Sequence, residues 1–225
     1  MSESWSVERL RGSASELHGR ALGPEVGRRA VVLEVERPAL VLGSTQPEDD
    51  VDRAAVDAFH VEVARRRSGG GAVLLMPNQT LWVDIEIPRG DPMWDDDVGR
   101  AFHWLGATWV LALSDLGVRA SMHTGGTLET AWSRTVCFGG LGPGEVTVDG
   151  RKLVGISQRR TREGARFQCV LHRTWDPIPL LGLLALHRER AAAITDLSRT
   201  GAGLDVDHDV VVDALRRRLP DLPSQ

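Results

Sequence analysis

Three arginines and three glycines stand together in residues 65–73, RRRSGGGAV, just before an apolar run. Arginine is a permanently charged planar fork that pairs with phosphate or carboxylate. Glycine permits positive φ and close approach of a ligand to the main chain. Consecutive backbone N–H groups in such a turn form an anion-binding concavity. The stretch predicts a site for a phosphate- or carboxylate-bearing small molecule; the alternative is a flexible surface loop with solvated charges.

A second candidate group is Lys152, which follows the turn residues Asp149 and Gly150. An Asp-Gly pair between two β-rich runs predicts a tight hairpin, so the lysine would stand on a stiff support. Its ammonium group can then act as a point charge toward a phosphate or a developing oxyanion. The alternative is a solvated lysine at a turn.

Cys137 is the third candidate, between Arg134 and a glycine-rich segment at 139–144. A cysteine near a cation can have a lowered pKa and act as a nucleophile. The alternative is a small buried apolar residue. Cys169 lies in an alternating strand and is predicted to be core. The two cysteines form no CxxC pair, so neither zinc nor a redox dithiol is expected.

Two further polar features predict structure rather than chemistry. His123 has no Ser or Asp partner at a telling spacing and is predicted to be a surface or structural residue. The acidic run 95–97 stands at the expected start of a helix, where acidic residues cap the end and offset the dipole. No metal site is predicted, and no Gly-Lys-Ser/Thr follows the glycines, so residues 68–73 are not a Walker motif.

The whole chain has the composition of a globular protein. It has 225 residues, of which 42% are hydrophobic and 26% charged, and its net charge is −4. This length fits one large domain, 1–225, and no global basic field indicates nucleic-acid binding. No 18-residue apolar run and no signal peptide are visible, so we expect no membrane span and a cytoplasmic location.

Hydrophobic periodicity predicts an α+β fold with a mixed, mostly antiparallel central sheet flanked by helices. The alternation over 81–87 predicts a sheet with one face in water. The other predicted strands are 30–35, 39–42, 72–75, 118–122, 135–138, 145–148, 152–157 and 166–172. The predicted helices are 5–22, 49–59, 91–116, 178–197 and 209–219.

Residues 38–46, 66–73 and 149–160, in this order, resemble three motifs of the lipoate–protein ligase catalytic domain. That family also includes octanoyltransferases and, more distantly, biotin–protein ligases. The resemblance covers about residues 15–175 and leaves 176–225 as a helical tail. It implies the biotin/lipoate ligase-like fold, with the acyl chain in an apolar tunnel.

The resemblance also implies roles for the candidate residues. Lys152 would polarise the acyl carbonyl and the phosphate. The acyl group or its adenylate would be held by Arg66, Ser68, Gly69, Gly70, Gly71, Ala72, Gly155 and Ser157. The acyl substrate would be lipoate or octanoate. The acceptor would be a lysine on a lipoyl domain of a 2-oxoacid dehydrogenase or on the glycine-cleavage carrier protein.

Two mechanisms stay open. A ligase would form an acyl-adenylate from free acid, ATP and Mg²⁺. An octanoyltransferase would need no cofactor: it would take octanoyl from acyl carrier protein as a thioester on Cys137, which precedes Lys152 by fifteen residues, as in one transferase subgroup. The Ser-Gly-Gly-Gly loop favours the ligase as the first prediction.

Three departures from the family pattern bear on this choice. Leu74-Leu75-Met76 stands where a histidine is usual, and Ser44 where an arginine is frequent. About 50 residues follow Trp175, too few for the accessory domain of long ligases. A non-catalytic relative that binds lipoate, an acyl-adenylate or a carrier domain is the third alternative.

Overall fold

A computed structural model describes residues 5–23, 27–186 and 189–221. It contains two β-sheets, and the predicted mixed, mostly antiparallel α+β architecture is confirmed. The large sheet has the order β1-β2-β6-β10-β9-β8-β7, in which only β1 and β2 are parallel. Its strands are β1 Ser6–Gly12, β2 Arg29–Val35, β6 Thr80–Pro88, β7 Ser121–Met122, β8 Val146–Val148, β9 Arg151–Arg160 and β10 Gly164–His172.

The small sheet has the order β4-β3-β5, with β3 parallel to β4 and antiparallel to β5. Its strands are β3 Ala39–Leu42, β4 Glu62–Arg65 and β5 Val73–Leu75. The helices are α1 Ala14–Gly19, α2 Arg53–Ala58, α3 His103–Asp115, α4 Pro177–Gly182, α5 Arg190–Leu197 and α6 His208–Arg218. None of them is long and apolar enough to cross a membrane.

The layers are held together by three apolar clusters. One face of the large sheet packs on α3 and α6, and Phe167 of the sheet shares a cluster with Leu105 of α3 and Leu215 of α6. The opposite face packs on the small sheet. A third cluster joins the outer side of the small sheet to α2, α4 and α5. The large sheet is therefore covered on both faces, and the candidate residues lie on the side of the small sheet.

This double coverage makes the prediction of a wet face on β6 wrong. Trp82, Asp84 and Glu86 are all buried, because the small sheet and α1 lie over that face. Their polar groups are paired within the protein rather than with water, as buried polar groups must be. An alternating pattern here marks a buried polar face, not an exposed one.

The opening helix predicted over 5–22 is also wrong. The segment forms β1, which pairs in parallel with β2, and then the short helix α1. Ser13 caps α1 through a capping box with Glu16, and this signal marks the true start of the helix. The predicted stop at Gly23-Pro24 includes residue 24, which lies outside the described residues.

Three other boundaries differ from the predictions. The helix expected from residue 91 begins at His103, after a 3₁₀ turn at 100–102, because the acidic run bonds locally to Arg100. Residues 135–138 make one isolated bridge at Val136 and a 3₁₀ turn at Cys137–Gly139 instead of a strand. The helix predicted over 178–197 is divided into α4 and α5, and residues 187–188 lie outside the description.

Several local predictions are confirmed. The hairpin turn joins β8 to β9 with positive φ at Asp149 (51°) and Gly150 (74°), as a type I′ turn requires. Gly117, with φ of 76°, follows the end of α3. The helix predicted at 209–219 is α6.

Candidate active site

The glycine loop between β4 and β5 is held by two of its own arginines. The buried guanidinium of Arg66 donates to the carbonyl oxygens of Gly69 (2.7 Å) and Gly71 (2.8 Å). Arg65 donates to the carbonyls of Gly43 (2.9 Å) and Gln46 (2.6 Å). These contacts fix the shape of the loop. The guanidinium of Arg66 is thus bonded to the loop itself, and its role toward an acyl group or adenylate stays a prediction.

The loop lies against the segment that carries Cys137. Ala72 N–H donates to the carbonyl of Thr135 (2.9 Å), and Cys137 N–H donates to the carbonyl of Ala72 (2.9 Å). A Cβ on Gly71 would stand 2.3 Å from the backbone nitrogen of Val136, so only glycine fits there. The close approach of these two backbones places the cysteine beside the loop.

Lys152 lies under the same segment. Its side chain is buried, and Nζ donates to the carbonyl of Cys137 (2.8 Å) and to Oε2 of Glu145 (2.7 Å). Nζ also lies 5.5 Å from the ring centroid of Phe138, within reach of a cation–π attraction. An ammonium group has three donors. Two are used within the described residues, so one remains for a ligand.

Glu145 was missed by the sequence analysis. Its carboxylate accepts from Gly142 N (2.6 Å) and Ile156 N (3.1 Å) as well as from Lys152. A buried carboxylate held by two backbone donors is a rigid partner for the lysine. Its position directly before β8, on the other arm of the hairpin from Lys152, was the sequence signal that could have indicated this pairing.

The main chain of Lys152 is also bonded to a distant part of the sequence. Its N–H donates to the carbonyl of Thr200 (2.7 Å), and its carbonyl accepts from Ala202 N (2.8 Å). The segment after α5 therefore extends the pairing of β9 at this one residue. Nothing in the local sequence of either segment predicts this contact.

The glycine loop meets β9 at two serines. Ser68 Oγ donates to Ser157 Oγ at 3.0 Å. On the same strand, a Cβ on Gly155 would stand 3.3 Å from the ring of Phe138, which lies against it. The structure thus brings Ser68 and Ala72 of the loop, Cys137, and Lys152, Gly155 and Ser157 of β9 close together. Their roles as acyl-binding or catalytic residues stay a prediction.

Two cations at this junction have no acidic partner. In the described parts of the chain, neither Arg67 nor Arg159 makes a side-chain hydrogen bond or an ion pair, and Nη1 of Arg159 is buried. Arg159 lies directly opposite Arg166 in the β9–β10 register. Burial, followed by the charges of Arg67 and Arg166, lowers the pKa of Arg159. Such an arrangement favours binding of an anion or a strongly polarised oxygen.

A buried ion network lies on the same sheet face. Glu86 accepts from Arg166 (2.8 Å) and Arg29 (2.7 Å), while Asp84 pairs with Arg20 (3.3 Å) and Arg166 (3.4 Å). Complete burial raises the pKa of Asp84 to about 6, although Arg166 and Arg20 oppose the rise. Every charged group in this network has a partner, in contrast to Arg67 and Arg159.

His18 covers part of this face. Its ring stacks on Trp82 at 4.2 Å between centroids, and Nδ1 lies 3.2 Å from the amide nitrogen of Gln168. Burial, with smaller effects of Arg66 and Arg166, lowers the pKa of His18 to about 3, so the ring is neutral. Its Nε2 has no hydrogen-bond partner within the described ranges.

The remaining sequence candidates lie elsewhere. The side chain of His123 bonds locally, with Nε2 2.7 Å from the carbonyl oxygen of Gly126, and its main chain pairs with Glu145 and Gly144. Cys169 is in the core, as predicted, and burial raises the pKa of its thiol to about 12. Across residues 5–23, 27–186 and 189–221 no cluster of three or more His, Cys, Asp or Glu could hold a metal ion.

The fold and the three converging motifs define a class of protein. Residues 19–217 match the model of the Lipoyl protein ligase A/B catalytic domain, and the chain belongs to this family. Among curated proteins, the octanoyltransferase LipM of Clostridioides difficile (strain 630) is 22% identical over 178 residues, 76% of this chain and 65% of that protein. LipM of Carboxydothermus hydrogenoformans is 31% identical over 125 residues, 55% of this chain and 45% of the relative. The chain thus spans less than two thirds of the length of these relatives.

Solved structures agree on the fold. A bi-partite lipoate protein ligase from Thermoplasma acidophilum, studied with its E2 lipoyl domain, superposes with a TM-score of 0.76. It is 17% identical, and the match covers 96% of this chain and 82% of the other. A lipoate-protein ligase A bound with ATP gives a TM-score of 0.72 at 17% identity, over 97% and 84% of the chains. At this identity the likeness concerns the fold alone.

Proposed function

We propose that this chain transfers an octanoyl group from the thioester of an acyl carrier protein to a lysine of a lipoyl carrier domain, with Cys137 as the intermediate acyl carrier. The observation that carries the proposal is the pair of main-chain hydrogen bonds that hold Cys137 between the glycine loop and Lys152. Its N–H is bonded to the glycine loop through Ala72, and its carbonyl is bonded to Nζ of Lys152. The similarity to the octanoyltransferases LipM supports the transferase as the first candidate, ahead of the ligase.

The reaction has two acyl transfers. In the first, Sγ of Cys137 forms a bond to the acyl carbon, the carbon–sulfur bond to the donor breaks, and the cysteine proton leaves with the donor thiol. In the second, the neutral amine of the target lysine attacks the Cys137 thioester. The cysteine sulfur leaves and takes a proton from the amine, which regenerates the thiol and yields an amide.

Lys152 supplies positive charge where the oxyanion develops in both steps. Its third N–H is available for that oxygen, while Glu145 and the carbonyl of Cys137 hold the other two. Because the group is buried and already oriented, little reorganisation is needed when the charge appears. Arg67 and Arg159 are close in sequence to the bonded pair Ser68 and Ser157, and their unpaired charges suit a negatively charged donor such as a phosphate-bearing arm.

ATP-dependent ligation of lipoate or octanoate is the second candidate. The same two arginines favour it, because an adenylate also carries a phosphate that a guanidinium can bind. ATP would supply the activation of the acid. Mg²⁺ is typically held by one or two carboxylates together with the nucleotide phosphates, so this candidate does not require a cluster of protein ligands.

One experiment separates the candidates. The full chain is mixed with an apo lipoyl domain and either octanoyl acyl carrier protein or octanoate, ATP and Mg²⁺, and the product is weighed by mass spectrometry. Modification from the thioester alone is expected. Modification only with ATP supports the ligase, and no modification in either mixture, nor with the glycine-cleavage carrier protein, supports a non-catalytic binding protein.

Substitution of the cysteine tests the intermediate directly. Cys137→Ser should abolish transfer from the thioester. The wild type incubated with the donor alone should gain the mass of one octanoyl group, and the variant should not. Cys169→Ser is the matched control, because its thiol is buried in the core away from the site. Full activity of Cys137→Ser would overturn the covalent mechanism.

A further inference from the structure

Lys152 is the only lysine of the chain, although lysine and arginine together number 27. Apart from the N-terminus, it is therefore the one amine on which this protein could carry an acyl group as a stable amide. A protonated lysine is a donor without a lone pair, whereas a neutral lysine in a desolvated site is a nucleophile. The protonation of this single side chain decides whether the protein can acylate itself.

The position of Lys152 makes such self-acylation a real competitor of the proposed transfer. Nζ lies 2.8 Å from the carbonyl oxygen of Cys137, and its third N–H is the one that would meet the oxygen of an acyl group on that cysteine. An amine at that distance is also close enough to attack the acyl carbon. A neutral Nζ would form an amide bond to this carbon, the bond from the carbon to the cysteine sulfur would break, and the amine proton would pass to the sulfur. The product would be a blocked Lys152.

Glu145 is the one carboxylate within 4 Å of Nζ in the described ranges, at 2.7 Å. The side chains of Lys152 and Glu145 are only 4% and 7% exposed. The other neighbours of the ammonium group are uncharged: the carbonyl of Cys137 and the ring of Phe138. Residues 200–202, which pair with the main chain of Lys152, bring no charged side chain. Because burial disfavours a charged amine, the proton on Nζ depends on this one carboxylate.

The carboxylate of Glu145 is itself fixed in place. Oε2 accepts from Gly142 N–H at 2.6 Å, and Oε1 accepts from Ile156 N–H at 3.1 Å. Backbone donors of this kind favour the ionised form of a carboxyl group. A glutamine at this position would place an NH₂ group toward one of these donors or toward Nζ, and it would carry no charge.

We propose that Glu145 is a positioning residue that keeps Lys152 as an ammonium ion and thereby prevents transfer of the acyl group from Cys137 to Lys152. One carboxylate would thus serve two ends, because the same proton gives Nζ its positive charge and removes its lone pair. The inference rests on the proposed function, since it needs an acyl group on Cys137.

Mass spectrometry of the full chain with octanoyl acyl carrier protein, in the absence of an acceptor, tests the proposal. The wild type should carry octanoyl as a thioester, which hydroxylamine removes. Glu145→Gln should accumulate at least tenfold more octanoyl that resists hydroxylamine and maps to the peptide of Lys152. Addition of Lys152→Arg to this variant should abolish the resistant adduct, because a guanidinium stays charged.

Glu62→Gln is the matched control. Glu62 is also buried and also accepts from two backbone N–H groups, those of Ala14 (3.1 Å) and Ser15 (2.8 Å), but its ion-pair partner is Arg37. This variant should carry only the labile thioester, as the wild type does.

Nitrogen NMR of lysine-labelled protein tests the protonation without any reaction. A single lysine gives a single Nζ signal. At about pH 7 this nitrogen should carry three protons in the wild type and in Glu62→Gln, and two in Glu145→Gln.

Three protons on Nζ in Glu145→Gln, or an octanoyl adduct of that variant that remains fully labile, would overturn the inference and leave the proposed function intact. If the variant takes up no octanoyl group, the proton count on Nζ decides. A wild type that takes up no octanoyl group would instead contradict the proposed function.

Discussion

Two groups of charges lie on the same face of the large sheet and differ in how they are satisfied. Asp84 and Glu86 share three arginines, and both carboxylates are completely buried. Arg67 and Arg159 stand a short way along that face with no carboxylate partner in the described residues. The first group is paired within the protein and acts as scaffold. The charges of the second group are not compensated by a carboxylate, and in the proposed function they bind an anionic substrate.

The difference predicts opposite responses to substitution. Removal of one partner from the paired group leaves buried charge uncompensated and should cost stability. Removal of an unpaired arginine relieves repulsion with Arg166 and should cost binding instead. The predictions below test this division, from the largest expected effect to the smallest.

Glu86→Ala should give the largest loss of stability. It leaves the buried Arg166 and the half-buried Arg29 without their shared carboxylate. Breaking a buried pair in this way typically costs about 3–5 kcal/mol in the free energy of unfolding. Urea denaturation followed by tryptophan fluorescence measures it. Glu34→Ala, which removes an exposed carboxylate paired with Arg9, is the control and should change stability by less than about 1 kcal/mol.

Lys152→Ala should lower the rate of acyl transfer by about 10²–10³, the usual effect of removing one oxyanion donor. Lys152→Arg should recover little, because the guanidinium cannot reproduce both bonds to Glu145 and Cys137 in that space. Single-turnover transfer to the apo lipoyl domain measures the rate. A wild-type rate in Lys152→Ala would remove this residue from the mechanism.

Stability should fall as the pH is lowered from 6.5 to 4. Burial lowers the pKa of His18 to about 3 and that of His172 to about 4 in the folded protein, below the usual histidine value of 6.5, so both bind protons more readily in the unfolded chain. Burial raises the pKa of Asp84 from 3.8 to about 6, so between these pH values the folded protein binds a proton on this carboxyl that the unfolded chain does not, which opposes the effect of the histidines. Burial also lowers the pKa of His208, so the histidines together outweigh Asp84 and stability falls with the pH. Each net proton contributes about 1.4 kcal/mol per pH unit.

Urea midpoints at half-unit intervals of pH measure the slope. His172→Leu should reduce the slope of stability against pH, because the buried ring of His172 no longer titrates. A slope that is unchanged in this variant would show that His172 is not held neutral in the folded protein.

Arg159→Ala should have the smallest effect on the fold and a moderate one on binding. KM for the acyl donor should rise about tenfold, equivalent to about 1.4 kcal/mol, while the urea midpoint stays equal or rises. Arg162→Ala removes an exposed arginine that is paired with its neighbour Glu163, and it is the control. A large loss of stability in Arg159→Ala would erase the distinction between the two groups.

The sequence predicts much of this arrangement where a signal is local. Alternation locates β6 and β10, a β-rich run locates β2, and the Asp149–Gly150 pair locates the hairpin. The ordered motifs indicate that Ser68 and Ser157 lie close together. These features follow from residue type and near neighbours, which the sequence displays directly.

The rest depends on contacts between distant segments. The polar face of β6 becomes interior only because the small sheet and α1 cover it, which no local pattern on β6 reveals. Arg66 and Arg159 each stand beside another arginine in the sequence, but Arg66 bonds to loop carbonyls, whereas the buried Nη1 of Arg159 has no hydrogen-bond partner in the described residues. Which arginine is free is therefore a property of the fold.

The main-chain bonds between Lys152 and residues 200–202 have a consequence for how fragments of this protein are judged. A polypeptide that stopped before Thr200 would retain all three motifs by which the site is recognised. It would nevertheless lack the backbone partners that complete the strand at its central lysine. A fragment can therefore contain every motif and still lack part of the site, because residues 200–202 belong to the site and to none of the motifs.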